Sequence, residues 1–285
     1  MIDYDKLFNW KIPEVEQTFM RRDTILYALS IGVGNDPTDL DQLRFVYEKD
    51  LQALPTMGTV LGYPINWLRT PGTGVDHLKV VNVGHKITIH KTLPVEGNFV
   101  GVSRVASIID KGPGKGALVH WERKVYDKKN GDLLCTLVSA NLCRGDGGFG
   151  GPTGPVRPLH QLPEMPPEET CSFPTLHQAS LLYRLNGDVN PLHADPQVAQ
   201  AAGFKRPILH GLCSFGVAGY SILKNCCQYD PGRLRGMEGR FSGLVYPGET
   251  IRTDIWRDGS IVSFRSVVLE RNTVAIDNGR AEIMP

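Results

Sequence analysis

The sequence predicts an α+β protein made of two copies of one unit, each a helical segment followed by a meandering antiparallel sheet. Three observations carry this expectation. First, a pair of motifs recurs in the same order. Leu54-Pro-Thr-Met-Gly-Thr-Val-Leu-Gly62-Tyr63 resembles Ile208-Leu-His-Gly-Leu-Cys-Ser-Phe-Gly-Val-Ala-Gly219-Tyr220, and Leu93-Pro94-Val-Glu-Gly97 answers Tyr246-Pro247-Gly-Glu-Thr250. Second, each half then continues in alternating runs rich in Val, Ile and Thr, the residues that suit a half-buried strand. Third, Leu212, Phe215, Gly219, Ile222 and Leu223 recur at helical spacing between about Gly211 and Cys227.

In chain order, residues 1–144 form the first unit, with expected strands at Phe99 to Ile109, Ala117 to Tyr126 and Leu133 to Leu142. A Pro- and Gly-rich stretch over 145–174 lacks apolar periodicity and reads as a linker. The second unit, 175–285, holds expected strands at Thr250 to Trp256, Ile261 to Glu270 and Thr273 to Ile283. Turns such as Lys129-Asn130-Gly131, Arg257-Asp258-Gly259 and Asp277-Asn278-Gly279 separate or interrupt the runs, so neighbours should pair antiparallel. Gly216, Ala218, Gly219 and Ser221 keep the Gly211–Cys227 helix slim. An interior glycine costs a helix roughly 1 kcal/mol relative to alanine, so these suggest a backbone packed closely against something, such as a sheet wrapped around it. A merely weak helix is the alternative.

Composition narrows the function. With 285 residues, 41% of them hydrophobic and 21% charged, the chain can bury a substantial core. Lys plus Arg number 31 against 30 for Asp plus Glu, so no global field gathers nucleic acid or an anionic membrane. Cys135, Cys143, Cys171, Cys213, Cys226 and Cys227 show neither CxxC pairs nor zinc-finger spacing, which suits a reducing compartment and no structural metal. The first residues lack the basic and apolar regions of a signal peptide, no apolar run of about 18 residues occurs, and the last residues differ from a Ser-Lys-Leu address. The expectation is a cytoplasmic protein. The glycine-rich stretches Gly112-Pro-Gly114-Lys115-Gly116 and Gly145-Asp-Gly-Gly-Phe-Gly-Gly151 match neither a phosphate loop nor a dinucleotide fingerprint and read as turns.

The segment Tyr183-Arg-Leu-Asn-Gly-Asp188-Val-Asn190-Pro191-Leu-His193-Ala-Asp195-Pro196 is the densest in chemistry. Asn190 and Asp195 each precede a proline and can cap a helical turn. The second turn, from Pro196 to Ala202, would stop at Gly203. On a continuous helix, five positions would set Asp188 and His193 about 140° apart, and the break at Asn190-Pro191 lets an acid and an imidazole converge instead. Spacing alone leaves Asp188 open as a turn residue and His193 as a hydrogen-bonded structural one. Aligning Tyr27 with Tyr183 places Gly32, Gly34 and Pro37 opposite Asp188, Asn190 and His193, so the first copy lacks every polar group. A task performed once explains that difference. Gly211, at the start of the long helix, would offer unpaired N–H groups to an oxyanion, or would only let the chain turn.

Gly187-Asp188-Val189-Asn190-Pro191-Leu192-His193 and His210-Gly211-Leu212-Cys213-Ser214-Phe215-Gly216 resemble the hydratase 2 motif of the MaoC-like family. The resemblance extends over nearly the whole chain to the hydratase unit of the peroxisomal multifunctional enzymes of type 2, which has a degenerate first half. It implies a double hot-dog fold, two repeats in which a long helix is wrapped by a curved antiparallel sheet. It implies (R)-specific hydration of a trans-2-enoyl-CoA to a (3R)-3-hydroxyacyl-CoA in fatty acid metabolism. Asp188 and His193 would activate the water, Asn190 would support them, and Gly211 would donate its N–H to the thioester oxygen. Substrate contacts would come from Val189, Pro191 and Leu192 of the motif, Lys111 in an Asp-Lys-Gly turn, and Phe241 ahead of the Tyr-Pro-Gly turn. Asn82 and Val83 stand where relatives place a His-Gly pair. The family implies no metal, no cofactor beyond the coenzyme A of the substrate, and a homodimer. The emptied first half is expected to leave an apolar tunnel for a long acyl tail. Alternatives are a dehydratase acting on carrier-protein thioesters, a hot-dog thioesterase, and a non-catalytic acyl-CoA-binding subunit.

Overall fold

The computed structural model describes residues 2–284. Their strands are β1 (Val15–Phe19), β2 (Val80–Ile89), β3 (Gly97–Asp110), β4 (Ala117–Asp127), β5 (Leu133–Cys143), β6 (Glu169–Pro174), β7 (Leu234–Phe241), β8 (Thr250–Asp258), β9 (Ile261–Val268) and β10 (Thr273–Ile283). They form one sheet in the order β1-β3-β4-β5-β2-β7-β10-β9-β8-β6, antiparallel throughout. The second five strands repeat the order of the first five, and the halves join where β2 pairs with β7, Lys86 facing Glu238. The expected duplication is therefore present strand by strand. In β4 the alternation is direct: Ala117, Val119, Trp121, Arg123 and Val125 are buried while the residues between them are not.

The helices are α1 (Tyr4–Phe8), α2 (Arg21–Ser30), α3 (Leu40–Val46), α4 (Ala179–Tyr183), α5 (Pro196–Ala201) and α6 (Gly211–Cys227). Nearly every residue of α6 is buried, as expected of a helix that is apolar all round and sits in a core. Its glycines mark close approaches: a Cβ at Gly219 would lie 2.4 Å from Thr56 Cγ2, and one at Gly216 would lie 2.9 Å from Ile31 Cγ2 and the Tyr27 hydroxyl. The expected tight packing is there, against the 3-10 helix Pro55–Thr59 and α2 of the first half as well as against the sheet.

Three expectations need correction. The first half has no long helix among the described residues; its counterpart of α6 is the 3-10 helix Pro55–Thr59. Pro64 and the left-handed Gly62 (φ +55°) end helical structure there, and α6 already fills the adjoining core. The linker is shorter than 145–174, because Glu169–Pro174 is the edge strand β6 paired with β8, with Cys171 and Phe173 turned inward. Strand β9 stops at Val268, where Leu269–Arg271 forms a 3-10 turn.

The glycine-rich stretches also have a structural explanation. The Asp110 carboxylate accepts the backbone N–H groups of Gly112 (2.9 Å), Gly148 (2.7 Å) and Gly150 (2.9 Å), tying both stretches into one loop cluster next to Lys111. Their amides are turned onto an internal anion.

Candidate active site

Helix α4 runs into the 3-10 turn Arg184–Asn186 and ends at Gly187, whose φ of +116° favours glycine. The chain there delivers Asp188, which accepts the Asn190 N–H through Oδ1 (3.2 Å). Asn190 caps the turn Pro191–His193 by accepting the Leu192 N–H (3.3 Å), and Asp195 caps α5 by accepting the Gln197 N–H (2.8 Å). Both cap-plus-proline signals are thus realised, and the broken helix places His193 beside Asp188.

The loop before α6 fixes the imidazole. His193 Nδ1 donates to the Ile208 carbonyl (2.8 Å), and because a carbonyl only accepts, Nδ1 holds the proton and Nε2 keeps its lone pair. Burial holds His193 below the ordinary histidine range, against the opposing effects of the Ile208 carbonyl and Asp188. His210 stacks on it with ring centroids 3.7 Å apart, and its Nε2–H donates to the Asp188 carbonyl (3.2 Å). Burial, followed by the neighbouring His193, pushes His210 down to about 2, so it stays a neutral ring. One ligand atom each from Asp188, His193 and His210 lie within 4.8 Å of one another. The two rings are stacked, inclined by 27°, and each already spends one nitrogen on a backbone carbonyl.

A small cavity, with about 10 Å³ open to a water-sized sphere, lies beside Asp188, walled by Thr59, Val60 and Tyr63 from the first half and Tyr183, Asn186 and Leu212 from the second. The wall carries hydroxyl, amide and apolar groups. The first intrahelical bonds of α6 are those from Cys213 and Ser214 to the His210 carbonyl, so the N–H groups of Gly211 and Leu212 precede the ladder at the positive helix end.

The other expected site residues divide by position. A Cβ at Gly211 would meet the Phe241 ring at 3.4 Å, so Phe241 belongs to the start of α6. Asn82 and Val83 sit at a register irregularity of β2, next to the Gly84–Arg240 pair and hence to the end of β7 that carries Phe241. Lys111 is exposed beyond the end of β3, three strands away along the same sheet edge, as the pairs Asp110–Ala117, Ala117–Cys143 and Val80–Cys143 show. Val189 and Pro191 are exposed and Leu192 is half-buried, and none of the three lines the cavity. His210 was part of the quoted motif without being assigned a role; Thr59, Val60 and Tyr63 lie in the repeated Leu54–Tyr63 motif and Asn186 in the Tyr183–Pro196 segment, but neither pattern marks them as walls of the site.

Comparison with known proteins agrees with this geometry. The model described as the MaoC like domain matches residues 158–279, and that described as the MFE-2 hydratase 2 N-terminal domain matches residues 18–145. A protein of Arabidopsis thaliana named enoyl-CoA hydratase 2, peroxisomal, is 37% identical over 288 residues, spanning 95% of this chain and 93% of the relative. The crystal structure of a MaoC-like dehydratase from Phytophthora capsici is 32% identical, with a TM-score of 0.86 over 98% of both chains. A Mycobacterium tuberculosis protein described as having a double hotdog fold aligns over 99% of this chain with a TM-score of 0.55 and 14% identity, a likeness of fold alone. Strand order, the position of α6 and these matches lead to one assignment: the chain belongs to the MaoC-like family, as a double hot-dog member whose first half is the N-terminal domain of the type 2 hydratases.

Proposed function

We propose that the protein is an (R)-specific 2-enoyl-CoA hydratase, adding water reversibly to a trans-2-enoyl-CoA to give a (3R)-3-hydroxyacyl-CoA. The observation that carries this reading is the approach of the Asp188 carboxylate and a ring nitrogen of His193 to within 4.8 Å, next to a cavity that Asp188 lines and that reaches Leu212 in the first turn of α6. Both groups are acceptors, so together they hold one water by its two hydrogens. As its oxygen bonds to C3, the water gives up a proton to the pair, the alkene electrons move toward the thioester, and the pair returns a proton to C2. Each such transfer contributes about 10² to 10⁴ in rate. The negative charge that builds on the thioester oxygen is met by the Gly211 N–H, an oxyanion donor of the kind worth roughly 3 kcal/mol.

This mechanism needs no cofactor besides the coenzyme A of the substrate. Phe241, Asn82 and Val83 lie where the thioester arm leaves the cavity in this reading, and Lys111 meets the nucleotide end. Cytoplasmic residence and a homodimer complete the proposal; six free, buried cysteines suit a reducing compartment. The test is loss of the conjugated-thioester absorbance when the protein meets crotonyl-CoA, with the chirality of the product determined. Release of free thiol, an S product, or tight binding without any absorbance change would each overturn it.

A further inference from the structure

Behind the cavity, β4 turns a charged side chain into the core. Arg123 is 1% exposed, and its Nη2 donates to the carbonyls of Thr59 (2.7 Å) and Gly58 (3.3 Å) at the end of the 3-10 helix Pro55–Thr59. Its Nε and Nη1 have no partner among the described residues. The guanidinium lies over the Tyr63 ring, 5.0 Å from its centroid. Thr59 and Tyr63 are both cavity walls, so Arg123 stands directly behind the inner side of the site. Two other buried polar atoms near this charge also lack partners, the Tyr183 hydroxyl in the cavity wall and Nε2 of His85, which is pushed down to about 3 by burial and then by Arg123. Burial lowers Arg123 only to about 10, which leaves it cationic at neutral pH.

A buried charge without a counter-ion is costly, and an unpaired guanidinium fork matches a carboxylate in shape. We propose that Arg123 forms the inner end of the acyl site and binds a carboxylate carried on the far end of the acyl group, making this enzyme selective for carboxylated enoyl-CoA esters over purely alkyl ones. This rests on the hydratase reading and assigns its substrate class.

The experiment compares kcat/KM for trans-2-enoyl-CoA esters of graded length ending in methyl, ketone or carboxylate, with wild type and Arg123→Met. Calorimetric binding of the matching saturated acyl-CoA esters is measured alongside. The expected result is a wild-type preference of at least about tenfold for carboxylate over methyl at one chain length, the worth of one charge-assisted hydrogen bond, with the ratio abolished in Arg123→Met. No preference at any length, a ketone preferred over the carboxylate, or an unchanged ratio in the variant each overturns the assignment. If Arg123→Met does not fold, Arg123→Lys keeps the charge without the fork, and an unchanged ratio in that variant overturns it equally. Hydration without selectivity would sink this proposal and leave the hydratase reading intact. Selective binding without hydration would do the reverse.

Discussion

At the scale of single residues, the site depends on two side chains held as proton acceptors. Asp188→Asn leaves the shape but removes the anion, and His193→Gln removes the Nε2 lone pair. Each is expected to lower kcat by about 10² to 10⁴ with circular dichroism unchanged, and wild-type turnover in either variant would remove that residue from the mechanism. The proton on Nδ1 and the depressed affinity of His193 also predict a pH profile. Because only the neutral ring accepts a proton, kcat/KM should be level around pH 7 and fall on the acid side only below the ordinary histidine range, as His193 takes up a proton. An acid limb centred above about 6.5 would contradict the buried, neutral imidazole.

The elements show which parts of this architecture the chain announces. Strand alternation announced β3, β4, β5, β8 and β10 nearly to the residue, because one face of each is buried and the other is not. The same alternation carries Arg123 on the inward phase of β4, so even that buried charge was legible as a break in an apolar pattern. Strands β2 and β7 were not foreseen: His85 and Lys86 in one and Arg235, Glu238 and Arg240 in the other interrupt the apolar pattern at the join between halves. The edge strand β6 was masked by its proline-rich surroundings. The cap-plus-proline signals were sufficient to converge Asp188 and His193, whereas the cavity walls contributed by the first half depend on tertiary packing that no local pattern encodes. Two substitutions test these elements. Gly219→Ala would push a methyl group to 2.4 Å from Thr56, and thermal denaturation should show a loss of about 1–3 kcal/mol as the two halves are forced apart. Asn190→Ala removes the cap of the turn bearing His193, costing about 1 kcal/mol, with a larger loss in kcat than in stability because the turn aims the imidazole. A stability change near zero at Gly219 would mean that α6 does not seat against the first half.

For the molecule as a whole, continuity is the governing fact. The sheet crosses the β2–β7 join without a gap, and one large apolar cluster draws on Phe19, Phe99, Leu137, Phe215, Phe264 and Ile276 from both halves. Unfolding should therefore be a single transition, and two separated steps in calorimetry would refute the shared core. The buried histidines set the pH response. His85, His193 and His210 are all depressed below the unfolded value, so the unfolded chain binds more protons once the pH drops under about 6.5. Stability is retained above that point and falls progressively on acidification, by up to about 1.4 kcal/mol per pH unit for each of the three rings. A melting temperature that is flat from pH 7 to 4 would contradict their burial in neutral form.

The uneven fate of the duplicated parts carries a practical lesson. Ten strands keep their symmetry because each must register with its neighbour across one continuous sheet, while the helix inside one copy is dispensable where the other copy's helix fills the middle. Attempts to fit bulkier guests should therefore spare Pro55–Thr59 and Gly211–Cys227 together, because the short segment is the seat of the mandrel on which both halves are wound.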